Sequence, residues 1–271
     1  MNDSNILKQL QNNILVVLSE VIRVCEANGI NYIAVGGTLL GAIRHKGFIP
    51  WDDDADIAMP REEYDKFVLL CRNGALSKGF TLQEYGKEEP NYGQSWIRVR
   101  MDNTLCVIDY HRLNGWKHLG VFVDVFPFER SYTNNMRIIV KTLKKYKKIN
   151  RTLNNRIAFN LNTFKSKCFR IVTSFCSIDA LFKKRLRVLT SLSKDSYKDK
   201  YIIDYNTPYG INKGVFDRII FDNTIKVPFE NIKIQIPKEY DYLLTLQFGD
   251  YMVLPPPNKR IGHLPEEILL K

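Results

Sequence analysis

The sequence predicts a mixed α/β (α+β) fold. Three observations carry that expectation: an amphipathic helical pattern over residues 6–28, a series of short apolar runs with period-two alternation between residues 30 and 128, and a hydrophobic content of 45% over 271 residues, enough for a sizeable core. Leu7, Leu10, Ile14, Leu18, Val21 and Cys25 fall at helical spacing, and Gly29 is a natural helix stop. INYIAV (30–35) reads as a strand, followed by Gly36-Gly37-Thr38 and a short helical stretch, LLGAIRH. ADIAMP (55–60) reads as a second strand. Pro60 with Glu62 and Glu63 then starts a helix ending near Cys71. FTLQEY, SWIRVRM, TLCVID and GVFVDVFP read as further strands.

The segment 133–200 has another character. It carries 18 Lys+Arg against three acids, a balance of +15, so the remainder of a chain whose formal charge is +11 stands at −4. Basicity confined to one region argues against nucleic acid as the partner of the whole chain. The segment is expected to be helical, with CFRIVTSFC (168–176) presenting one broad apolar face. Packing on the core with a solvated basic side is one reading. Docking to an anionic membrane leaflet or an acidic glycan is the other. From Tyr201 the chain is turn-rich, and Pro255-Pro256-Pro257 is expected to wrap a surface. The expected organisation is a catalytic core (1–132), a basic helical segment (133–200) and a C-terminal part completing the catalytic domain (201–271).

Composition narrows the setting. Five scattered cysteines (Cys25, Cys71, Cys106, Cys168 and Cys176) without a CxxC pair argue against a zinc site or a disulfide framework. The N-terminus lacks the order of a signal peptide, and uninterrupted apolar runs stop far short of the roughly 20 residues that span a bilayer. The expectation is a cytoplasmic protein, with at most a peripheral contact at the inner face of the plasma membrane.

The chemistry lies in GFIPWDDDADIAMPRE (47–62), with four aspartates in five positions. Side chains two apart on a strand share a face, so an extended Asp54-Ala55-Asp56-Ile57 projects Asp54 and Asp56 together and turns Ala55 and Ile57 inward. Adjacent carboxylates repel, and a divalent cation relieves the repulsion; oxygen ligands with waters suit Mg²⁺ when it also holds phosphates. Asp124, within the apolar run VFVDVF, is costly in a core strand unless it projects into the same site. Val35-Gly36-Gly37-Thr38 ends a strand and opens a helix, where backbone N–H groups can bind phosphate.

A glycine pair, two alternating aspartates and a later aspartate inside an apolar run together resemble the nucleotidyltransferase superfamily. GGTLLGAIRHKGFIPWDDDADIAMPREEYDKF (36–67) closely resembles the LicD family, which includes the fukutin-related proteins; VFVDVFPF (121–128) and FGDYMVLPPPNKRIGH (248–263) resemble its later blocks. The resemblance implies a nucleotidyltransferase-like mixed sheet and transfer of a substituted phosphate. The donor is a CDP-alcohol, CDP-choline favoured. The acceptor is a hydroxyl of a teichoic acid, lipopolysaccharide or capsule precursor, and CMP leaves.

Carried onto this chain, the resemblance makes Asp54, Asp56 and Asp124 the ligands of Mg²⁺ (or Mn²⁺), with Asp124 also orienting or deprotonating the acceptor hydroxyl. Gly36, Gly37 and Thr38 cradle phosphate. Arg44, His45 and Lys46 neutralise the diphosphate or pair with the surplus aspartates. Asp52 and Asp53 shape the turn or bind metal through water. Arg98 and Arg100 contact donor or acceptor, or are surface charges. His263 matches a family position, while His111 and His118 are structural. Trp51, Trp96 and Trp116 are candidates to hold a trimethylammonium group, with the core as the alternative. Nothing in the sequence separates choline from ethanolamine, glycerol or ribitol. A true nucleotidyltransferase and a non-catalytic binder of acidic polymers are the competing readings.

Overall fold

Strand β2 (Asp56–Pro60) and strand β6 (Phe122–Ser131) run parallel at the centre of the molecule and set the position of everything functional. The computed structural model describes residues 3–108, 111, 114–157, 170–194, 198–260, 262 and 264–271. Around that pair the main sheet has the order β1-β2-β6-β4-β3, where β1 is Ile33–Ala34, β3 Phe80–Gln83 and β4 Ile97–Met101. These outer strands pair antiparallel. The far end of β6 pairs with β7 (Tyr201–Ile203), which pairs with β8 (Val215–Asp217). The expected mixed α/β class is the observed one, and the sheet takes strands from both ends of the chain.

Register decides which side chains meet. Asp56 pairs with Asp124, Asp124 with Arg98, and Arg98 with Gln83, so one row across four strands carries these residues on a common face. The other face is apolar: Ile57, Val99, Val123 and Val125 are fully buried. Helix α1 (Asp3–Ala27) belongs to the same core through Leu10, Ile14, Leu18, Val21 and Cys25, all essentially inaccessible to solvent. Each such aliphatic side chain contributes about 1.5–3 kcal/mol on burial. Gly29, at φ +59°, ends the helix in the left-handed conformation open to glycine. The 30–35 strand is shorter than expected, because only Ile33 and Ala34 pair with β2.

Helix α2 (Gly36–Arg44) follows β1, and α3 (Arg61–Arg72) follows β2 with Glu62 and Glu63 in its first turn. Among its described residues the basic segment contains helices α4 (Met136–Ile157) and α5 (Ile178–Leu189). Ile139, Leu143, Tyr146, Ile149, Leu153 and Ile157 form the buried stripe of α4, and Ser177 caps α5 by accepting the Ala180 N–H at 3.1 Å. Within 168–176 the expected apolar face is not turned to the core over the described part. Residues 170–172 are helical, a turn follows, and Ile171, Val172 and Phe175 are 73%, 68% and 87% exposed. Arg156 explains the break: its guanidinium donates to the carbonyls of Thr173 and Cys176, fixing them as a turn. Cys168 and Phe169 lie outside the described residues. No described helix is long and apolar enough to cross a membrane.

The C-terminal third holds strand β9 (Thr224–Phe229) paired with β10 (Ile232–Pro237), and helix α6 (Tyr240–Phe248). The hairpin tip latches the turn after α2. The Glu230 N–H donates to the Lys46 carbonyl at 2.8 Å, and the Glu230 carboxylate accepts from the Phe48 N–H at 3.2 Å. The last strand, β11 (Glu267–Leu269), pairs back onto β5 (Leu105–Val107).

Candidate active site

The aspartate run folds into a turn before it becomes strand β2. The Asp52 N–H donates to the Ile49 carbonyl at 2.9 Å, and Gln11 of α1 donates to the carbonyls of Ile49 and Asp52 at 3.2 and 2.9 Å. Ala55 and Ile57 are then buried at 1% exposure each, which leaves Asp54 and Asp56 on the opposite side. Thr38 ties α2 to the strand by accepting the Asp56 N–H at 2.8 Å. Gly36 stands at φ +56°, and a side chain there would start 3.4 Å from the Asp56 carboxylate. At Gly37 an added Cβ would meet the Asp52 carboxylate at 2.4 Å. The glycine pair thus lets the helix start press directly against two carboxylates.

These acids destabilise one another as anions. Desolvation pushes the Asp52 carboxyl up to about 6, with Asp53 adding to the shift. Desolvation also pushes Asp54 up to about 8, with Asp52, Asp53 and Asp124 contributing repulsion. Asp56 stands well above the usual carboxylate range, by desolvation first and then by Asp54, Asp124 and Asp52. Repulsion of this kind is what a divalent cation relieves, so these carboxyl groups could hold one.

Asp124 is held differently. Arg98 donates from Nε to Asp124 Oδ1 at 2.6 Å and from Nη2 to Oδ2 at 3.1 Å, and Trp96 Nε1 donates to Oδ1 at 2.8 Å. Among the described residues no group of three or more His, Cys, Asp or Glu encloses a space for a metal ion. The two carboxylates at the β2 end, Asp54 and Asp56, remain on the cavity, which suits an ion that takes one or two carboxylates and fills its shell with water and phosphate oxygens.

A cavity of about 690 Å³ opens in front of them. Gly37, Asp52, Asp54 and Asp56 form one wall; Arg44 and Trp51 form a second. The third comes from Tyr209 and the C-terminal stretch, including Phe248, Tyr251, Pro255 and Pro256. The proline run therefore lines the cavity rather than wrapping a bare surface. Arg44 spends its guanidinium on the Tyr251 carbonyl (2.7 Å) and His45 Nε2 (2.9 Å), with no aspartate among these partners. Burial and the nearby Arg260 pull Arg44 below its ordinary value, so two cations approach each other at this wall. The Arg260 guanidinium sits 5.6 Å over the Trp51 ring, whose edge also meets His45. Lys46 is exposed, at φ +60° in the latched turn, and does not line the cavity.

Arg98 and Arg100 are not surface charges: they are 1% and 0% exposed. Arg98 belongs to the site through Asp124. Arg100 instead donates to Gln83 Oε1 at 2.6 Å and to the Gly120 carbonyl, away from the cavity. Trp116, 5% exposed, stacks on His111 and underlies Arg98, so it is a core ring. His111 bonds Arg98 at 2.7 Å, and burial with the two arginines pushes it down to about 2. His118 bonds Asp102 at 3.0 Å. His263 lies outside the described residues.

Residues 29–172, more than half of the chain, match the family model described as LicD/FKTN/FKRP, nucleotidyltransferase domain. The chain belongs to the LicD family. Over 276 residues it is 29% identical to the lipopolysaccharide cholinephosphotransferase LicD of Haemophilus influenzae, covering 97% of this chain and 98% of that protein. A stretch of 108 residues is 49% identical to the ribitol 5-phosphate transferase FKRP of human and of mouse, covering 40% of this chain and 19% of theirs.

In this LicD-family site, sequence reasoning missed Tyr209, Arg260 and Asp204. Tyr209 stands in a Thr-Pro-Tyr-Gly turn, where the local signal is only a turn. Burial and then Asp56, Asp52 and Asp54 raise its hydroxyl above the usual range. Asp204 shares a small cavity with Asp56 and Gln247, and burial pushes it up to about 7. No local pattern around Arg260 points to Trp51, more than 200 positions earlier.

Proposed function

We propose that this chain is a divalent-cation-dependent phosphotransferase of the LicD type, moving phosphocholine or a related alcohol phosphate from a CDP-alcohol to a hydroxyl of a cell-surface glycan precursor. The new bond joins the acceptor oxygen to the phosphorus bearing the alcohol, and the bond from that phosphorus to CMP breaks. The observation that carries the reading is the crowd of mutually repelling aspartates at the wall of a large cavity, facing Arg44 and the aromatic C-terminal stretch.

Asp54 and Asp56 would hold Mg²⁺ or Mn²⁺, with Asp124 alongside. Bound there, the ion supplies charge neutralisation at the diphosphate and Lewis acidity at the reacting phosphorus. The open start of α2 at Gly36, Gly37 and Thr38 offers backbone N–H groups to phosphate oxygens. Arg44, with Arg260 behind it, faces the charge that develops on departing CMP. Asp124 has lone-pair capacity left on Oδ2 after its three hydrogen bonds, enough to orient the acceptor hydroxyl and take its proton. Because Trp51 already carries Arg260, the faces for a quaternary ammonium group are those of Tyr209, Phe248 and Tyr251, each contributing about 0.5–2 kcal/mol.

The test is a panel of CDP-choline, CDP-ethanolamine, CDP-glycerol and CDP-ribitol beside the four nucleoside triphosphates, with Mg²⁺, reading CMP and pyrophosphate. CMP from a CDP-alcohol and no pyrophosphate is the expected result. Pyrophosphate without CMP would assign a true nucleotidyltransferase instead. A narrower expectation concerns Gly37→Ala. Its methyl group displaces the Asp52 carboxylate, so the KM for the CDP-alcohol rises about tenfold, a loss of about 1.4 kcal/mol in donor binding. The melting temperature moves by no more than about 3 °C.

A further inference from the structure

A second cavity lies on the other side of Trp96 from the aspartates. It measures about 370 Å³, within the range of roughly 300–1,000 Å³ common for small-molecule sites, and nothing in the donor chemistry uses it. One wall comes from the connection between β3 and β4 through Tyr92, Ser95 and Trp96, the other from Phe182, Lys183 and Arg185 of helix α5. Resting on the phosphotransferase reading, we propose that this cavity binds a sugar unit of the acceptor glycan, with the basic segment as one of its walls.

Four observations point the same way. First, the cavity is joined to the reacting groups by a single side chain: Trp96 lines it and donates its indole N–H to Asp124 at 2.8 Å. A sugar seated there is one ring away from the carboxylate assigned to the acceptor hydroxyl. Second, Tyr92 lines the cavity at 1% exposure, and its hydroxyl has no hydrogen-bond partner among the described residues. A buried hydroxyl left unpaired is costly, and a sugar hydroxyl would satisfy it.

Third, the lining mixes aromatic rings with planar polar groups. Tyr85 stacks on Phe182 with ring centroids 3.9 Å apart, and its hydroxyl donates to Asp179 at 3.3 Å. Glu84 is held by Arg72, and Arg185 is fixed by the carbonyls of Gly93 and Gln94. Rings for the C–H face of a pyranose and fixed polar groups for its hydroxyls are what a carbohydrate requires. Fourth, Arg72, Lys183 and Arg185 outnumber Glu84 and Asp179 in the lining, which disfavours a choline cation and suits a neutral or anionic glycan. The cavity continues along α5 past Arg61, Leu186 and Leu189 into a further space of about 260 Å³, as an extended chain of sugars would need.

The experiment uses the full chain and oligosaccharides released by mild hydrolysis from the surface glycan of the cells that encode it, with binding read by saturation-transfer NMR and calorimetry. Two variants leave the catalytic groups alone. Tyr92→Phe removes only the unpaired hydroxyl, so its melting temperature stays level or rises while the fragment Kd increases five- to tenfold. Lys183→Ala, on an exposed position, weakens binding of anionic fragments by a similar factor. In both, the KM for CDP-choline and the slow release of CMP to water stay at the wild-type value. Wild-type affinity in both variants, or no fragment binding by the wild-type chain, would overturn the assignment. Fragment binding lost in the variants, with no CMP from any CDP-alcohol, would support the sugar site and count against the donor chemistry alone.

Discussion

Asp56→Asn is expected to lower CMP release from the preferred CDP-alcohol by on the order of 10³-fold, the scale seen when one preorganised electrostatic group is removed from a reacting centre. The change keeps the size of the side chain and leaves the backbone bond from the Asp56 N–H to Thr38 in place. It also deletes one member of a set of repelling carboxyl groups: Asp54, Asp124 and Asp52 all disfavour charge on Asp56. The variant should therefore be as stable as the wild type or more so, by about 1–2 kcal/mol, or about 2–6 °C in melting temperature. Activity assays and thermal melts on one preparation check both halves. An active variant would remove Asp56 from the chemistry, and an unfolded one would make its role structural. A gain in stability with a loss of activity is the pattern of a site that stores unfavourable charge for function.

Arg98→Met carries the largest expected effect on stability. The guanidinium is 1% exposed, makes two hydrogen bonds to Asp124, bonds His111 at 2.7 Å and lies 3.8 Å over the Phe122 ring. Methionine retains the packing of the stem but leaves a buried carboxylate unpaired beside Asp56. Removing one partner of a buried ion pair costs about 3–5 kcal/mol, so the melting temperature should fall by about 10 °C or more. The second substitution Asp124→Asn, in the Arg98→Met background, should restore most of that loss, because the uncompensated charge is gone. It should restore no activity, since Asp124 is the group we propose to face the acceptor. Denaturant titrations of the two single variants and the double variant check this. Additive losses would show that Arg98 and Asp124 do not act as a pair.

The two long-range facts behind these expectations were not equally legible in the sequence. The alternation Asp54-Ala55-Asp56-Ile57 states its own geometry, and the buried Ala55 and Ile57 bear it out. Asp124 stands out as a lone acid in an apolar strand. That Arg98 is its partner depends on register: β4 and β6 pair so that position 98 falls opposite 124. A slip of one residue would have turned both arginines to the other face, and no local pattern fixes that choice. The same holds for Tyr209, which reaches the cavity, and Arg260, which reaches Trp51 at its wall, by chain reversal through the C-terminal third. Arg44 and Lys46 sit two positions apart in one motif, yet only Arg44 lines the cavity. The hairpin latch at Glu230 turns the chain between them, and that contact spans more than 180 positions. That the basic segment is helical follows from its composition, whereas the cavity beside α5 depends on Phe182 stacking on Tyr85 and Arg185 bonding the carbonyls of Gly93 and Gln94 in the connection between β3 and β4.

The most direct measurement is Mn²⁺ binding, read as loss of the free-ion electron paramagnetic resonance signal, in the wild-type chain, Asp54→Asn and Asp56→Asn. Saturable uptake by the wild-type chain, weakened at least about 100-fold in each variant, is the expected result. Equal uptake by all three chains would contradict a cation held by the two strand aspartates, and with it the phosphotransferase built on them.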